Sequence, residues 1–501
     1  MSQLLRTKSI DALIQASEEP GHRLRRTLGP LSLTMLGIGA VIGSGIFTVT
    51  GTAAAGRVLP VKSLLDATVF DILLNGFHAG SQMGRPGAGP ALTLSFFLVG
   101  VACCFAALCY AELASMIPIA GSAYTYAYAI LGEIFAWIIG WDLILEYAVS
   151  NMSVAVGFSA YLQDLFENLF GFHLPPQLAF PPFPAAGGTA GWFNVPALVI
   201  TMAVTWLLVR GVKESAGANT GMVLVKLAAI VVFCIGAARA VNSSNWTPFA
   251  PHGFGGVLTG ASIIFFSYIG FDSVSTAAEE CKNPQRDLPI GIIATLVVCT
   301  ILYASVSLVL TGIMPWDKLG TDSPVADALK ALGMNNLRTI VTAGALMGML
   351  SSLLVYQYGQ ARVWFAMSRD GLLPGLFSTV HERFKTPHIS TWIAGFVVGL
   401  PAGVWDIDTF AELSNIGTLF AFILVSAGVI VLRKKQPERP RVFRVPFVPL
   451  FPMISIVCCL ILMMGLPLMT WLRFFTWLII GLVIYFTYSK ARSTLLKEHS
   501  S

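Results

Sequence analysis

The stretch that decides the fold is LGIGAVIGSGIF, residues 36–47, which places four glycines inside an uncharged run. This run covers the 30 residues between Arg26 and Arg57, more than the roughly 20 apolar residues that cross a hydrocarbon core. Because glycine weakens a helix, the Gly-Ser-Gly triplet at 43–45 predicts an interruption within a membrane span. The alternative is close helix packing through small residues, and this stretch alone does not separate the two.

The composition extends the membrane assignment to the whole chain. Hydrophobic residues make up 55% of the 501 residues and charged residues only 11%, against about 25% in soluble domains. A disordered chain has low hydrophobicity, and a transmembrane barrel alternates apolar and polar residues, so both classes are excluded. Residues 1–26 are polar and carry five Lys or Arg, unlike a cleavable signal peptide. We therefore predict an all-α integral membrane protein.

Charge gaps, Gly and Pro positions and apolar runs predict twelve membrane spans. They cover approximately 29–55, 90–112, 132–162, 193–210, 213–239, 254–279, 288–314, 338–366, 389–404, 411–432, 447–469 and 472–489. With the N-terminus in the cytoplasm, 22 of the 31 Lys and Arg fall inside and 8 outside, so both termini are predicted to be cytoplasmic. Residues 57–89 form a predicted external insertion with a short amphipathic helix at 64–77, and 113–131 a predicted interfacial elbow.

Lys226 is the charged residue that fits a membrane span least. It lies 13 residues from both Lys213 and Arg239, which is about 20 Å from either helix end and beyond the reach of its own stem. An ionisable group at this depth is a functional hypothesis by default, so the ammonium is expected to face an internal cavity or partner. Either Lys226 exchanges a transported proton, or it stays protonated and binds helix-terminal carbonyls.

A second break is predicted five spans after the first, in FFSYIGFDS, residues 265–273. Interrupted spans at corresponding positions of two halves are the best sequence indication of a transporter binding site. A broken helix exposes N–H groups on one side and carbonyl groups on the other, with opposite partial charges. A zwitterion fits such a pair without any charged side chain, which favours amino acids over sugars or nucleobases.

Four strings resemble the amino acid–polyamine–organocation superfamily: GIGAVIGSGIF at 37–47, SYIGFD at 267–272, EECKNPQRDLP at 279–289 and GQARVWFAMSRDGLLP at 359–374. Within that superfamily they are most similar to the cationic amino acid transporter branch and its proton-coupled bacterial relatives. The resemblance runs from about residue 22 to 490 without the 57–89 insertion. It implies a LeuT-type fold of twelve helices with broken helices 1 and 6 and a 5+5 inverted repeat.

The resemblance also divides the chain into five parts. They are a cytoplasmic tail, a first repeat, a second repeat, two peripheral helices and a second cytoplasmic tail, at 1–28, 29–240, 241–433, 434–490 and 491–501. By the same resemblance, the backbone amides of Ser44 and Gly45 bind the substrate carboxylate. The substrate ammonium is then received by the backbone carbonyls of Val41, Phe266, Ser267 and Ile269.

Four further roles follow from the resemblance. Phe266 covers the site as a gate, and Asp272 lies near the pocket for the substrate side chain. Tyr356 falls where a residue of that pocket is expected. Lys226 matches a fifth-span lysine that takes the place of a sodium ion in proton-coupled members. Glu146 belongs to a family-like string and is interpreted mainly as an interhelical hydrogen-bonding group.

The sequence therefore predicts a secondary transporter that imports amino acids by proton symport across the cytoplasmic (inner) membrane. The alternatives are an amino acid exchanger without proton coupling and a nutrient sensor on a transporter fold. No enzymatic motif, metal site or cofactor is expected, and the coupling ion is a proton and not sodium. The expected partners are the amino acid, the lipid bilayer and possible small single-span membrane proteins, but no nucleic acid. The preference between cationic and small neutral amino acids stays open.

Overall fold

A computed structural model describes residues 4–11, 14, 28–57, 63–76, 84–119, 121–184, 189–211, 215–384 and 386–494. The described chain is mostly helical, which confirms the predicted class. Besides these helices, the described residues contain two short antiparallel strands of two residues each, β1 (Gly56–Arg57) and β2 (Arg85–Pro86). Parts of the predicted tails and of the 57–89 insertion lie outside the described residues, namely 1–3, 12–13, 15–27, 58–62, 77–83 and 495–501.

The described residues of the first half of the chain contain nine α-helices whose two ends are both described. In order, α1 to α9 cover Pro30–Val41, Thr50–Ala55, Val69–Asn75, Leu92–Met116, Ser122–Ile130, Glu133–Phe170, Pro176–Ala179, Val195–Arg210 and Ser215–Ala237. The helix α6, with 38 residues, is the longest, and it lies deep in the bundle. It begins after Gly132 and ends at Gly171, and both glycines have positive φ angles, which other residues adopt only with strain.

The described part of the second half adds nine more α-helices. In order, α10 to α18 cover Gly253–Ile264, Pro284–Ile313, Pro324–Ala331, Asn335–Arg369, His388–Ala402, Ile407–Lys435, Leu450–Met464, Leu468–Ile484 and Lys490–Arg492. The helix α10 continues as a 3₁₀ turn (Phe265–Tyr268), and a second 3₁₀ segment follows (Phe271–Glu280).

Eight described segments are long and apolar enough to cross a membrane, and the bent pair formed by α1 and the segment Gly45–Ala55 is a ninth. Three shorter apolar helices, α8, α14 and α16, accompany them. The protein is therefore a multi-pass membrane protein. All twelve of these segments overlap the twelve predicted spans, although the three short helices do not meet the length needed to cross a bilayer on their own.

Both predicted helix breaks are present in the backbone. The helix α1 ends at Val41, Ile42 is extended, and the chain resumes as a wide turn at Gly45–Val49, with a bend of 45° between the two halves. The second break begins at Phe265, where α10 gives way to the 3₁₀ turn. Ile269 is then extended, and Gly270 has a φ of 113°, which strongly favours glycine.

The predicted elbow at 113–131 contains a short helix between two longer ones. The helix α4 continues to Met116, and α5 forms a separate helix that does not extend into a span. All nine residues of α5 are buried, so this short helix packs against neighbouring elements of the protein, and its interfacial position stays a prediction. Neighbouring elements contact its tyrosines. For example, the Tyr124 hydroxyl donates a hydrogen bond to the Asp370 carboxylate at 2.6 Å.

Candidate substrate site at the two helix breaks

Lys226 binds the carbonyl end of α1, where the first break begins. Its Nζ donates hydrogen bonds to the carbonyl oxygens of Gly39 at 2.8 Å and Ile42 at 2.7 Å, and the side chain is fully buried. Gly348 of α13 makes room for it, because a Cβ there would lie 3.1 Å from the lysine Cδ. The ammonium thus neutralises the partial negative charge of carbonyls that have no partner within the helix.

Two serines of α13 bind the same carbonyls from the other side. Ser351 and Ser352 donate to the Gly39 oxygen at 3.3 and 3.1 Å, and Ser352 also lies 3.3 Å from the Ile42 oxygen. Ser351 further donates to the Asn219 side chain at 2.9 Å. The first break is therefore held by an ammonium and two hydroxyls.

Tyr303 of α11 connects the first break to the second. Its buried hydroxyl lies 3.1 Å from the Val41 oxygen and 2.8 Å from the Ser267 oxygen. The two breaks also touch directly, because a Cβ on Gly45 would lie 2.6 Å from the Ser267 Cα. The predicted amide and carbonyl groups of both breaks are thus brought together in one buried region.

The predicted ammonium acceptors already have partners within the protein. Tyr356 of α13 donates to the Ile269 oxygen at 2.9 Å, and the Phe266 oxygen accepts from the Ile269 amide at 3.3 Å. Each carbonyl oxygen has two lone pairs, so these bonds leave capacity for a substrate ammonium. Substrate binding by these carbonyls stays a prediction.

Two buried hydroxyls at the breaks lack hydrogen-bond partners among the described residues. They are the Oγ atoms of Ser44 and Ser267, on residues that are fully buried. A buried polar group without a partner is costly, so such groups are usually satisfied by water or a ligand. Phe266, the predicted gate, is also buried and lies next to Ser267 in the same turn.

Asp272 lies inside the bundle, next to the second break and against the amides of Gly270 and Ser273. It interacts electrostatically with Glu146 of α6, which is buried as well. The Tyr147 and Tyr356 rings stand beside the two acids, with centroids 6.1 Å apart. Asp272, Glu146, Tyr147 and Tyr356 thus form one buried polar cluster beside the second break.

A backbone contact and an ion pair join three segments at the far end of the 3₁₀ segment Phe271–Glu280. Leu28 pairs with the residues after Glu280, donating to the Glu280 oxygen at 3.0 Å and accepting from the Lys282 amide at 2.9 Å. The Glu280 carboxylate also lies 3.5 Å from the Arg362 guanidinium. These contacts tie the entry of α1 to the end of the second broken span and to α13.

The structure brings together every predicted site residue, and it adds residues that the sequence did not indicate. The additional residues that contact the breaks are Tyr303, Ser351, Ser352 and Asn219. Two consecutive serines in an apolar span, four residues after a glycine, are a signal that could have identified Ser351 and Ser352. Tyr303 gave no such signal, because a tyrosine in a span packs equally well in a core or at the lipid surface.

Comparison with known proteins assigns the family. A profile described as "Amino acid permease" matches residues 28–487, nearly the whole chain. The chain belongs to the amino acid permease family. The resemblance to the amino acid–polyamine–organocation superfamily is therefore confirmed, and the protein is a membrane transporter and not an enzyme.

Three relatives illustrate the range of this permease family. The chain is 48% identical to a branched-chain amino acid permease of Bacillus subtilis (strain 168), over 98% of this chain and 99% of the relative. It is 47% identical to the methylthioribose transporter of the same organism, over 99% and 100%. A vacuolar cationic amino acid transporter of Arabidopsis thaliana is more distant, at 36% identity over 87% and 68%.

Proposed function

We propose that this permease imports amino acids together with protons across the cytoplasmic membrane by alternating access. The proposed fold is of the LeuT type, with twelve spans, inverted repeats at 29–240 and 241–433 and both termini in the cytoplasm. The contact of the Lys226 ammonium with the Gly39 and Ile42 carbonyls is the observation that carries the proposal. Loss of the lysine proton would remove the charge that holds α1 and allow the bundle to rearrange.

The substrate class follows from the chemistry of the two breaks. Backbone amides at 44–45 suit a carboxylate, and carbonyls at Val41 and Ser267 suit an ammonium, so the pair recognises an α-amino acid. The branched-chain relative supports this class. Methylthioribose is the second candidate, because its transporter is nearly as similar to this chain. A thermal-shift screen of the twenty amino acids and methylthioribose separates the two, since binding stabilises the folded protein.

Proton coupling is tested by uptake into proteoliposomes. The wild type is expected to accumulate labelled substrate when an inward proton gradient is applied without sodium. Lys226→Met is expected to abolish this accumulation, because methionine fills the same space without carrying a proton. Lys330→Met, at a lysine whose side chain is half exposed, is the matched control. Proton-driven accumulation by Lys226→Met at the wild-type level would contradict the coupling role.

Amino acid exchange without protons remains the alternative function. It predicts counterflow of labelled substrate against preloaded substrate, with no net accumulation under a proton gradient. A small single-span membrane protein stays a predicted partner.

A further inference from the structure

Asp142 of α6 is a buried acid that the proposed transport site does not use. It is fully buried, and neither of its carboxylate oxygens has a hydrogen-bond partner among the described residues. The helix α15 comes close enough that a Cβ on Gly417 would lie 2.7 Å from the Asp142 Oδ1. An unpaired carboxylate in such a place is costly, so this carboxyl is expected to bind a proton, a water or a cation at some stage of the transport cycle.

Asp142 stands one helical turn from Glu146, on the same face of α6. The two acids interact electrostatically, and Glu146 interacts in turn with Asp272 at the second break. Neither α6 acid forms an ion pair with any Lys, Arg or His of the described chain. The described residues also contain no group of three His, Cys, Asp or Glu placed to hold a metal ion. The species that such carboxyls can exchange is a proton.

The groups around this pair carry no positive charge. The titratable side chains that face the acids are Asp272, Tyr110 of α4, Tyr147 of α6 and Tyr356 of α13. The helix α15 faces them with Gly417 and Thr418. The hydroxyl of Tyr147 is buried and has no hydrogen-bond partner among the described residues, so it is free to bond a water or a carboxyl.

The order of the acids along α6 gives a direction. The helix begins at Glu133, whose carboxylate accepts hydrogen bonds from Tyr485 and Ser493, close to the end of the chain. Asp142 lies about 14 Å along the axis from Glu133, and Glu146 about 20 Å. Moving away from Asp272, a proton therefore meets Glu146, then Asp142, and then the end of α6 where the C-terminal segment packs.

We propose that Asp142 carries the transported proton from Glu146 towards the cytoplasmic end of α6. In this step Asp142 first releases its own proton to water towards the end of α6. The protonated Glu146 carboxyl then gives its proton to the Asp142 carboxylate through a bridging water, because the two carboxyls share no hydrogen bond, so one acid is charged before this transfer and one after. The net charge of the pair does not change in this transfer, and water is the only other species required. This relay rests on the proposed proton symport, and it adds a second proton-carrying position to Lys226.

The test compares Asp142→Asn with Glu133→Gln in proteoliposomes. Both changes remove one buried carboxyl from α6, but Glu133 is fully hydrogen-bonded to Tyr128, Tyr485 and Ser493 and serves structure. Two rates are measured: net accumulation driven by a proton gradient, with an internal pH dye, and counterflow without a gradient. D142N is expected to lose accumulation by at least about tenfold and to keep counterflow, and E133Q to keep both.

The outcomes that would overturn the relay are distinct. Proton-driven accumulation by D142N at the wild-type level would show that Asp142 is a permanently neutral structural group. Equal losses in D142N and E133Q, or loss of counterflow in D142N, would assign the effect to packing. Asp142→Ser, a smaller side chain at this crowded place, gives the same test if D142N does not reconstitute. If the wild type shows no proton-driven accumulation, the proposed symport itself is wrong. If Lys226→Met loses proton-driven accumulation but D142N keeps it, the symport stands and only the relay is wrong.

Discussion

Tyr303 shows how much one hydroxyl contributes when it binds two broken helices at once. Its position between the Val41 and Ser267 oxygens lets a single side chain orient a carbonyl from each half of the chain. No covalent or main-chain bond joins these residues, so their spacing depends on this bridge and on the close approach of Gly45 to Ser267. A change at Tyr303 should therefore act on stability and on substrate binding together.

Tyr303→Phe is predicted to lower the stability of the protein by about 1–3 kcal/mol, because it leaves buried carbonyls without a donor. Tyr485→Phe is the matched control, since it removes a buried hydroxyl bonded to Glu133 at 2.9 Å, away from the breaks. Both variants should unfold at lower temperature in detergent. Only Tyr303→Phe should also reduce the stabilisation by the best substrate of the screen. Equal substrate-induced shifts in the two variants would remove Tyr303 from the site.

The sequence identified the candidate site residues whose chemistry is unusual for a membrane span. Lys226 was identifiable because no lysine stem spans half a bilayer, and the glycines at 43–45 because they weaken a helix in hydrocarbon. Asp142 was not singled out, since an acid in a long apolar helix is interpretable only when its surroundings are known. That its carboxyl faces Gly417 and lacks a partner depends on how α15 packs, which no local pattern of α6 encodes.

At the scale of elements, the insertion between α2 and α4 is fixed to α15 by its two arginines. Arg57 in β1 lies 3.4 Å from the Asp406 carboxylate, and Arg85 in β2 forms an ion pair with Glu412. Thr470 of α17 donates to the same Glu412 at 3.0 Å. The insertion thus links the end of the first broken span to α15 and α17.

The two ion pairs are predicted to differ strongly in their effect on stability. Arg85→Gln leaves Glu412 buried without its cation, and the expected cost is about 3–5 kcal/mol. The Arg57 side chain is 20% exposed, against 5% for Arg85, so water reaches it in part and Arg57→Gln should cost less than Arg85→Gln. Thermal unfolding of both variants in detergent measures the difference. Equal shifts would mean that the buried pair does not hold the insertion.

The existence of these elements was largely predictable, but their contacts were not. Apolar length and charge gaps locate the spans, and a capping box at Thr68 and Asp71 accounts for α3 within the predicted 64–77 helix. The ion pairs of the insertion join positions more than 300 residues apart. Periodicity and propensity are local properties, so they carry no information on such partners.

At the scale of the whole molecule, the first and last described segments, which include Lys8 and Thr494, meet on one face. Lys8 forms an ion pair with Asp370 at 2.6 Å, and the Thr494 amide donates to the Asp370 oxygen at 3.1 Å. The backbone of residues 4–8 also bonds to α5 and to the start of α6. The two segments therefore share one face of the protein, and the assignment of this face to the cytoplasm stays a prediction.

The proposed orientation is tested by labelling introduced cysteines in intact cells. Trp192→Cys, in the exposed connection before α8, is predicted to react with a membrane-impermeant maleimide added outside. Glu438→Cys, in the exposed connection after α15, is predicted to react only after the cells are opened. The unmodified protein is the background control, because most described cysteines are buried or half-buried. The opposite labelling pattern would invert the assigned topology.

The β1–β2 pair also makes this permease a convenient host for a foreign domain. Gly56 faces Pro86 and Arg57 faces Arg85, so the polypeptide leaves and re-enters the bundle at adjacent points. Ends held this closely match the closely spaced termini of many small domains. A rigid soluble domain inserted between residues 57 and 85 would be connected to the permease at both of its ends. It would give an asymmetric feature for aligning particle images of an otherwise featureless membrane protein.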